Sequence, residues 1–137
     1  MLQPGQSTVT IDGNNFDALN AEVGLHTHHD GHGMPMMAAQ AVSIHVTVDI
    51  HDTVNMPFPT LIKLFDLANN LTTDKICDMK IEYWKDEHKQ DAICVYQFRG
   101  WIANFVTSSG AGSNHILHLS LQPALGAQHY TDLKMSN

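Results

Sequence analysis

A histidine-rich stretch near the start of the chain has the residue types and the spacing to bind a metal ion. Imidazole nitrogens are good ligands for Zn²⁺, Cu²⁺ and Ni²⁺, and Asp30 adds a carboxylate to the same stretch. The candidate ligands are His26, His28, His29 and His32. A metal site also needs a rigid frame with supporting hydrogen bonds, which a stretch this rich in glycine does not supply. The pattern therefore favours a solvated or interface segment, with adventitious metal binding and a true metal site as the alternatives.

A metal-dependent barrel of the cupin type is the nearest enzyme for comparison. Cupins carry a His-x-His motif, a following Glu and a distant His, and His26 and His28 have the first spacing. His45 or His118 could supply the distant ligand, but no Glu follows at the required position. The GxSxG, P-loop and GxGxxG patterns are missing from the sequence as well. We therefore expect a protein that is not an enzyme and has no cofactor, with a cupin-like metal barrel as the alternative from another class.

Composition and charge argue against several classes of partner. The 137 residues have a formal net charge of −7, and the seven Lys and Arg residues form no cluster. Nucleic acids and anionic membranes need grouped cations, so neither is an expected partner. No apolar run approaches the roughly 18 residues that span a bilayer, and the first residues lack the basic and apolar regions of a signal peptide. The length fits a single domain over residues 1–137.

The two cysteines have no spacing that indicates chemistry. Cys77 and Cys94 lie on separate predicted strands and form no CxxC motif. We expect two reduced, buried structural thiols, as is usual in a cytoplasmic protein. A disulfide would require the two residues to be neighbours in the sheet, and the sequence leaves that open.

The first half of the chain predicts strands on either side of one long loop. A short strand over Thr8–Ile11 ends at the Asp12-Gly13 turn, and Phe16–Leu25 is a weaker strand candidate. Three glycines and a proline then predict an extended, exposed loop over Gly24–Gln40. Apolar and polar residues alternate strictly over Val42–Ile50, which is typical of a strand with one buried face.

The second half predicts one helix followed by further strands. Pro57 and Pro59 are incompatible with a continued strand but are tolerated in the first turn of a helix. They therefore predict the start of an amphipathic helix over Pro59–Leu71. The apolar stripe of that helix is Leu61, Ile62, Leu64, Phe65, Ala68 and Leu71. Alternating patterns predict strands over Cys77–Trp84 and Leu117–Leu121, and a long strand over Ala92–Val106 with a bulge or bend at Gly100.

The tail over residues 123–137 has little pattern, and we expect it to be loosely held. Together, these segments predict a mainly β protein with one helix. The fold class that suits their order is a small antiparallel β-barrel or sandwich with one flanking α-helix.

The order of these parts resembles the Hcp-like tube proteins of type VI secretion and the related tail tube proteins of contractile phages. The resemblance covers roughly residues 8 to 122 and lies in pattern more than in identity. The segments that carry it are the opening strand with the Asp12-Gly13 turn, Asp30-Gly31-His32-Gly33-Met34-Pro35, Ile44–Ile50, Asp52-Thr53-Val54-Asn55-Met56-Pro57, Ile81-Glu82-Tyr83-Trp84-Lys85-Asp86, Val95–Val106 and His115–Leu121.

The resemblance implies a homohexameric ring, and stacked rings that form a hollow tube able to carry effectors. It also implies sheath, spike and effector proteins as partners, with assembly in the cytoplasm and secretion without a signal peptide. The stretch 24–40 would then contact adjacent subunits or rings. The interface candidates are Asp30, His32, Met34, Pro35, Met36 and Met37. A tail tube protein of a phage or of an extracellular contractile particle is the alternative within the same architecture.

Overall fold

The computed structural model describes residues 6–29, 35–70, 72–85, 88–110, 115–124 and 133–136, with residues 27–29, 35–41 and 73 described by their backbone only. Within these ranges, the chain forms β1 (Gln6–Ile11), β2 (Asn14–Ala18), β3 (Asn20–His29), β4 (Pro35–Asp49), α1 (Phe58–Ala68), a 3₁₀ turn (Thr73–Lys75), β5 (Cys77–Trp84), β6 (Ala92–Ser108), β7 (Ile116–Pro123) and β8 (Leu133–Ser136).

All eight strands belong to one antiparallel sheet in the order β2-β1-β5-β6-β7-β4-β3, and β8 pairs with β6 outside this path. The sheet curls so that its two end strands approach each other without pairing. The N–H of Leu19, between β2 and β3, donates to the Thr47 carbonyl at 2.8 Å. The mainly β fold with one helix that the sequence predicts is therefore confirmed, as an incompletely closed, barrel-like sheet.

Strict alternation along the strands places one continuous apolar core inside the curled sheet. The fully buried positions of β4 and β7 are those predicted from the period of two: Val42, Ile44, Val46, Val48, Leu117, Leu119 and Leu121. Val9 and Ile11 of β1 and Ile81 of β5 face them across the same core. The core thus separates the β6-β7-β4-β3 part of the sheet from the β1 and β5 strands.

Helix α1 begins one residue earlier and ends earlier than predicted. Pro57 is its N-cap, and the helix runs over Phe58–Ala68 instead of Pro59–Leu71. It ends because Asn69 has extended backbone angles and Asn70 adopts a φ of +51°, a region that asparagine tolerates better than most residues. Leu71 lies outside the described residues.

The predicted apolar stripe of α1 is only partly buried. Leu64 is fully buried in the core, and Leu61 packs against it. Ile62 and Phe65 are 38% and 43% exposed, although the Phe65 ring meets Phe105 edge-on at 5.7 Å. The stripe prediction was wrong for these two residues because the short helix touches the sheet over a narrow strip.

The loop predicted over Gly24–Gln40 is a β-hairpin through most of its length. Residues 24–29 belong to β3 and residues 35–40 to β4, with cross-strand partners from Gly24↔Ser43 to Thr27↔Gln40. The glycine and histidine content of this segment favours a loop. The backbone N–H and C=O groups of residues 24–29 are nevertheless satisfied by pairing with β4, and this pairing makes the segment a hairpin. The weaker strand predicted over Phe16–Leu25 is likewise two strands, β2 and β3, which divide at Leu19. Residues 30–34 lie outside the described ranges.

The prediction of a loosely held tail was wrong for residues 133–136. β7 pairs only with the second half of β6, which leaves the first half of that edge without a partner. β8 fills this position, from Val95↔Ser136 to Phe98↔Leu133, and so satisfies peptide groups that the sequence pattern could not assign. Residues 125–132 and 137 lie outside the described ranges.

Gly100 marks a close contact and not the predicted bulge or bend. A Cβ atom there would lie 2.6 Å from the Gln122 carbonyl oxygen, which belongs to the neighbouring strand β7. The register irregularity lies further along β6, between Ile102 and Asn104. Glycine is therefore required at position 100, where β6 pairs with Cys77 of β5 on one side and with Pro123 of β7 on the other.

The two cysteines are free and far apart along their strands. Cys77 stands opposite Gly100 and Cys94 opposite Tyr83, so six residues, or about 20 Å of strand, separate them along β5. Cys77 is buried, as predicted, and its burial raises the pKa of the thiol to about 11. Cys94 is only half-buried, which corrects the expectation of a buried thiol.

Candidate functional site

The predicted metal ligands do not form a site among the side chains that the structure describes. His26 is exposed on β3, and its Nε2 lies 3.3 Å from the Ser43 hydroxyl oxygen. Of His28 and His29 the backbone alone is described, and His32 lies outside the described residues. Within the described part of the chain, no three His, Cys, Asp or Glu side chains lie close enough to hold a metal ion.

The structure brings together two histidines that the sequence proposed only as distant cupin-like ligands. His45 of β4 and His118 of β7 lie on neighbouring strands, diagonally across one face. His26 is four residues from the position opposite His45, about 13 Å along β3. The cupin-like arrangement of His26 with His45 or His118 is therefore not formed.

The six predicted interface residues are not tested by the side-chain geometry. Asp30, His32 and Met34 lie outside the described residues, and of Met36 and Met37 only the β4 backbone is described. Pro35 pairs with His29 at the start of β4. The part that these residues play in subunit contacts stays a prediction.

The chemistry-bearing side chains that the structure does assemble form a polar face on the outside of four strands. We use the name polar face for Asn20, Glu22 and His26 of β3, Ser43, His45, Thr47 and Asp49 of β4, His118 and Ser120 of β7, and Asn104 of β6. Two rows cross the four strands in register. One is Glu22–His45–Ser120–Asn104, and the other is Asn20–Thr47–His118–Val106.

Hydrogen bonds between strands hold the rows of the polar face together. His45 Nδ1 and the Ser120 hydroxyl oxygen are 3.1 Å apart, and the Thr47 hydroxyl oxygen and His118 Nδ1 are 3.3 Å apart. Within β3, Asn20 donates from Nδ2 to Glu22 Oε1 at 3.3 Å and so connects the two rows. The charges of this face come from two carboxylates, Glu22 and Asp49, and from three titratable imidazoles. It contains no Lys or Arg among the described residues.

This four-stranded segment ends in an open strand edge on each side. β3 pairs with β4 on one side only. On the other side of β3, Tyr83 donates its hydroxyl to the Ala21 carbonyl at 3.0 Å, and burial raises the pKa of Tyr83, which keeps this donor protonated. At the opposite end, residues 101–108 of β6 pair with β7 alone, since β5 pairs only as far as Gly100. Within the described ranges, no strand covers either edge.

The outer edge of β2, by contrast, is covered by a side chain. Asn55 accepts from the Asp17 N–H at 2.8 Å through Oδ1 and donates from Nδ2 to the Asp17 carbonyl at 2.7 Å. The Asp17 carboxylate also accepts two bonds from Lys89, at 2.6 and 2.7 Å, and one from Thr8 at 2.9 Å. Sequence reasoning missed this cluster because the partners of Asp17 lie 9 to 72 residues from it along the chain, and no local pattern connects them.

A cleft lined by residues of β1, β5 and β6 does not resemble a catalytic site. Its volume is about 540 Å³, and it lies on the outer surface of β1, β5, β6 and β8. Lys80, Arg99 and Lys134 line it, and Arg99 is paired with Asp78 at 3.1 Å. Among the residues that the structure describes, no histidine, cysteine or serine lines the cleft and could form a nucleophile and base pair.

Comparison with solved structures identifies the architecture. Hcp1 of Flavobacterium johnsoniae matches with a TM-score of 0.65 at 14% sequence identity, over 86% of this chain and 89% of that chain. Hcp1 of the E. coli EAEC 042 pathovar matches with a TM-score of 0.61 at 11% identity, over 97% of each chain. The fold is that of the Hcp proteins. The resemblance that the sequence pattern indicated is thereby confirmed at the level of the fold.

The fold is also similar to that of a chain in a prophage baseplate. A chain of the sixfold-symmetrised anti-feeding prophage baseplate matches with a TM-score of 0.57 at 11% identity, over 100% of this chain and 95% of that chain. No protein-family model matches the sequence, and no curated protein does. Within the described residues, no helix is long and apolar enough to cross a membrane.

Proposed function

We propose that this chain is a structural, non-catalytic subunit of a hollow protein tube of the Hcp type. Copies of the chain associate around an axis into a hexameric ring, and rings stack into a tube that carries effector proteins. The fold shared with Hcp1 proteins supports the tube role. Assembly would occur in the cytoplasm and be followed by release with sheath and spike proteins.

The observation that carries this proposal is the pair of open edges on the β6-β7-β4-β3 segment. Each strand in this segment is antiparallel to its neighbour, so β3 and β6 run in opposite directions. When a second copy is placed beside the first by rotation about an axis, its β3 meets β6 of the first copy antiparallel. The pairing continues the alternation of the sheet, and a contact of this head-to-tail kind closes into a ring.

A tail tube protein of a phage-like or extracellular contractile particle is the second candidate. The likeness to the anti-feeding prophage baseplate chain supports it as directly as the Hcp1 structures support the secretion role. Both candidates require the same ring, so the first experiment addresses the ring itself.

The experiment measures the mass of the purified chain by light scattering, with and without a chelator, followed by negative-stain imaging. A chelator-resistant ring of six subunits is the expected result. A monomer that loses a bound metal to the chelator would contradict the proposal and favour the cupin-like alternative. Stable monomers without metal would contradict both.

Cysteine crosslinking tests the edge pairing directly. In a chain with Cys77→Ala and Cys94→Ala, the changes Glu22→Cys and Val106→Cys place one thiol on each open edge, on the same side of the sheet. Oxidation is expected to produce a ladder of covalent oligomers that ends at the ring. The matched control replaces Val106→Cys by Met135→Cys on β8, which is 63% exposed but lies outside the four-stranded segment. Equal ladders from both variants would refute the edge contact.

A further inference from the structure

A small cleft lies between α1 and the open edge of β6. Its volume is about 220 Å³. The residues that line it are Phe65, Ala68, Asn69, Ala103, Asn104 and Phe105. Phe105 points to the side of the sheet that faces the core, here called the core side, because it stands opposite the buried Leu119. The Phe65 ring meets Phe105 edge-on at 5.7 Å and is still 43% exposed, so the cleft offers apolar surface to a neighbour.

The open edge of β3 carries an exposed apolar side chain on the same side of the sheet. Leu25 stands opposite the buried Val42 and therefore also points to the core side. Ala21 and Val23 have the same orientation on β3 and are partly buried against the core, whereas Leu25 is 55% exposed. Exposed apolar groups that lie together at an open edge are typical of a protein contact. Leu25 and the cleft thus lie at the two opposite edges of the four-stranded segment.

Pairing of β3 with β6 of a second copy brings Leu25 to the cleft. In an antiparallel pair, residues that stand directly opposite each other point to the same side of the sheet. Core-side residues of β3 therefore meet core-side residues of β6, and the register can shift only in steps of two residues. Placing Val23 opposite Phe105 advances Leu25 to the register irregularity of β6. Ala103 lies in this irregularity and lines the cleft.

We propose that Leu25 of one copy inserts into the cleft of the next copy, between Phe65, Ala103 and Phe105, and so extends the hydrophobic core across the subunit contact. This inference rests on the proposed function, since it needs the pairing of β3 with β6. The cleft has room for a leucine side chain, and its insertion removes apolar surface of both copies from water. Because Leu25 and the cleft lie on different edges, each copy inserts into one neighbour and receives the other.

A mixing experiment tests this contact and its head-to-tail character. In the chain with Cys77→Ala and Cys94→Ala, one variant carries Leu25→Cys and a second carries Ala103→Cys. A short bismaleimide crosslinker is expected to produce dimers, and nothing larger, only after the two variants are mixed, because each variant alone has its thiol on one edge. Met135→Cys on β8, 63% exposed, replaces Ala103→Cys in the matched control and should give no dimers. Dimers formed by Leu25→Cys alone would overturn the head-to-tail contact.

The strength of association tests whether the insertion stabilises the ring. Leu25→Ser is expected to lower the association constant of each contact on the order of 10- to 100-fold in sedimentation velocity, because a leucine side chain is then no longer buried. Ala103→Glu should also weaken association, since a carboxylate would enter an apolar cleft. Leu25→Met should stay close to wild type, and Met135→Ser is the control for loss of an exposed apolar side chain. Leu25 and Ala103 are exposed in the single subunit, so the dilute variants should unfold in urea as wild type does.

The outcomes separate this inference from the proposed function. If Leu25→Ser and Ala103→Glu assemble as wild type does, the insertion is refuted and the ring remains. If Glu22→Cys with Val106→Cys gives its ladder while the mixed variants do not crosslink, the edges pair but the cleft does not receive Leu25. A wild-type chain that forms no rings would remove both the proposed function and this inference.

Discussion

Replacing Asn55 by alanine should measure how much a single side chain contributes to closing a strand edge. The Asn55 amide makes one hydrogen bond to the N–H and one to the carbonyl of Asp17, at 2.8 and 2.7 Å, and so takes the place of a neighbouring strand beside β2. Asp52 holds the turn that presents it, since its Oδ1 accepts from the N–H groups of Val54 and Asn55 at 3.1 and 3.3 Å.

The expected cost of Asn55→Ala follows from these two contacts. Each hydrogen bond contributes about 1 kcal/mol net, so their loss costs about 2 kcal/mol when the partners stay dry. Asn55 and Asp17 are half-buried, and water that reaches the freed peptide groups reduces the cost to between about 1 and 2 kcal/mol. With a urea dependence of about 1–3 kcal/mol per molar, the midpoint falls by about 0.3–2 M.

Urea unfolding followed by tryptophan fluorescence measures this change, at one fixed protein concentration because association shifts apparent stability. Asn20→Ala is the control, since Asn20 is exposed and its bond to Glu22 is 3.3 Å long. Asn55→Asp should cost at least as much as Asn55→Ala, because a carboxylate would face the Asp17 carbonyl without a donor. If Asn55→Ala is within about 0.5 kcal/mol of Asn20→Ala, then Asn55 does not stabilise the edge.

Three further changes test other parts of the fold. Gly100→Ala should cost about 2–4 kcal/mol in unfolding free energy, because its Cβ would lie 2.6 Å from the Gln122 carbonyl oxygen; an unchanged urea midpoint would show that the strands separate easily there. Burial raises the pKa of Cys77 from 9.0 to about 11, so the folded state favours the protonated thiol. The free energy of unfolding therefore falls by about 2 kcal/mol as the pH rises from 9 toward 11, whereas below pH 9 this group causes no loss. Cys77→Ala should remove this fall, and a variant whose stability decreases with pH as steeply as that of the wild type would contradict the prediction. Tyr83→Phe should cost about 1 kcal/mol, because it leaves the Ala21 carbonyl without its 3.0 Å donor, and a variant as stable as wild type in urea would show that water replaces the hydroxyl.

The predictions that held are those that depend on local periodicity. Val42–Ile50 alternates strictly, and its buried side is the one the pattern indicated. Prediction failed where partners distant in sequence decide the structure. The composition of residues 24–40 suggested a loop, and only the backbone pairing of β3 with β4 shows a hairpin. β8 likewise forms because the edge of β6 is open at residues 95–98, a fact that no short segment of sequence contains.

The candidate site depends on register, which the sequence does not reveal. The sequence singles out His45 and His118 by their chemistry, but as alternative distant ligands of a metal held by His26 and His28. A shift of one residue in the β4–β7 pairing would place His118 on the buried side opposite an apolar residue. The observed register instead aligns Thr47 with His118 and His45 with Ser120. A set of candidate ligands thus becomes a polar surface in the folded chain.

The protection of strand edges in this molecule is selective, and that selectivity supports a role in assembly. An unpaired edge invites pairing with other chains, and monomeric proteins cover or shorten such edges. Here β2 is covered at Asp17 by Asn55, and β8 is four residues long with exposed Lys134. β3 is ten residues long, and it lacks a strand partner on its outer side among the described residues. The short β2 edge is thus covered, whereas β3 and β6 leave a long edge without a strand partner at each end of the four-stranded segment. A closed ring requires this arrangement, because each subunit then offers one edge to each of its two neighbours.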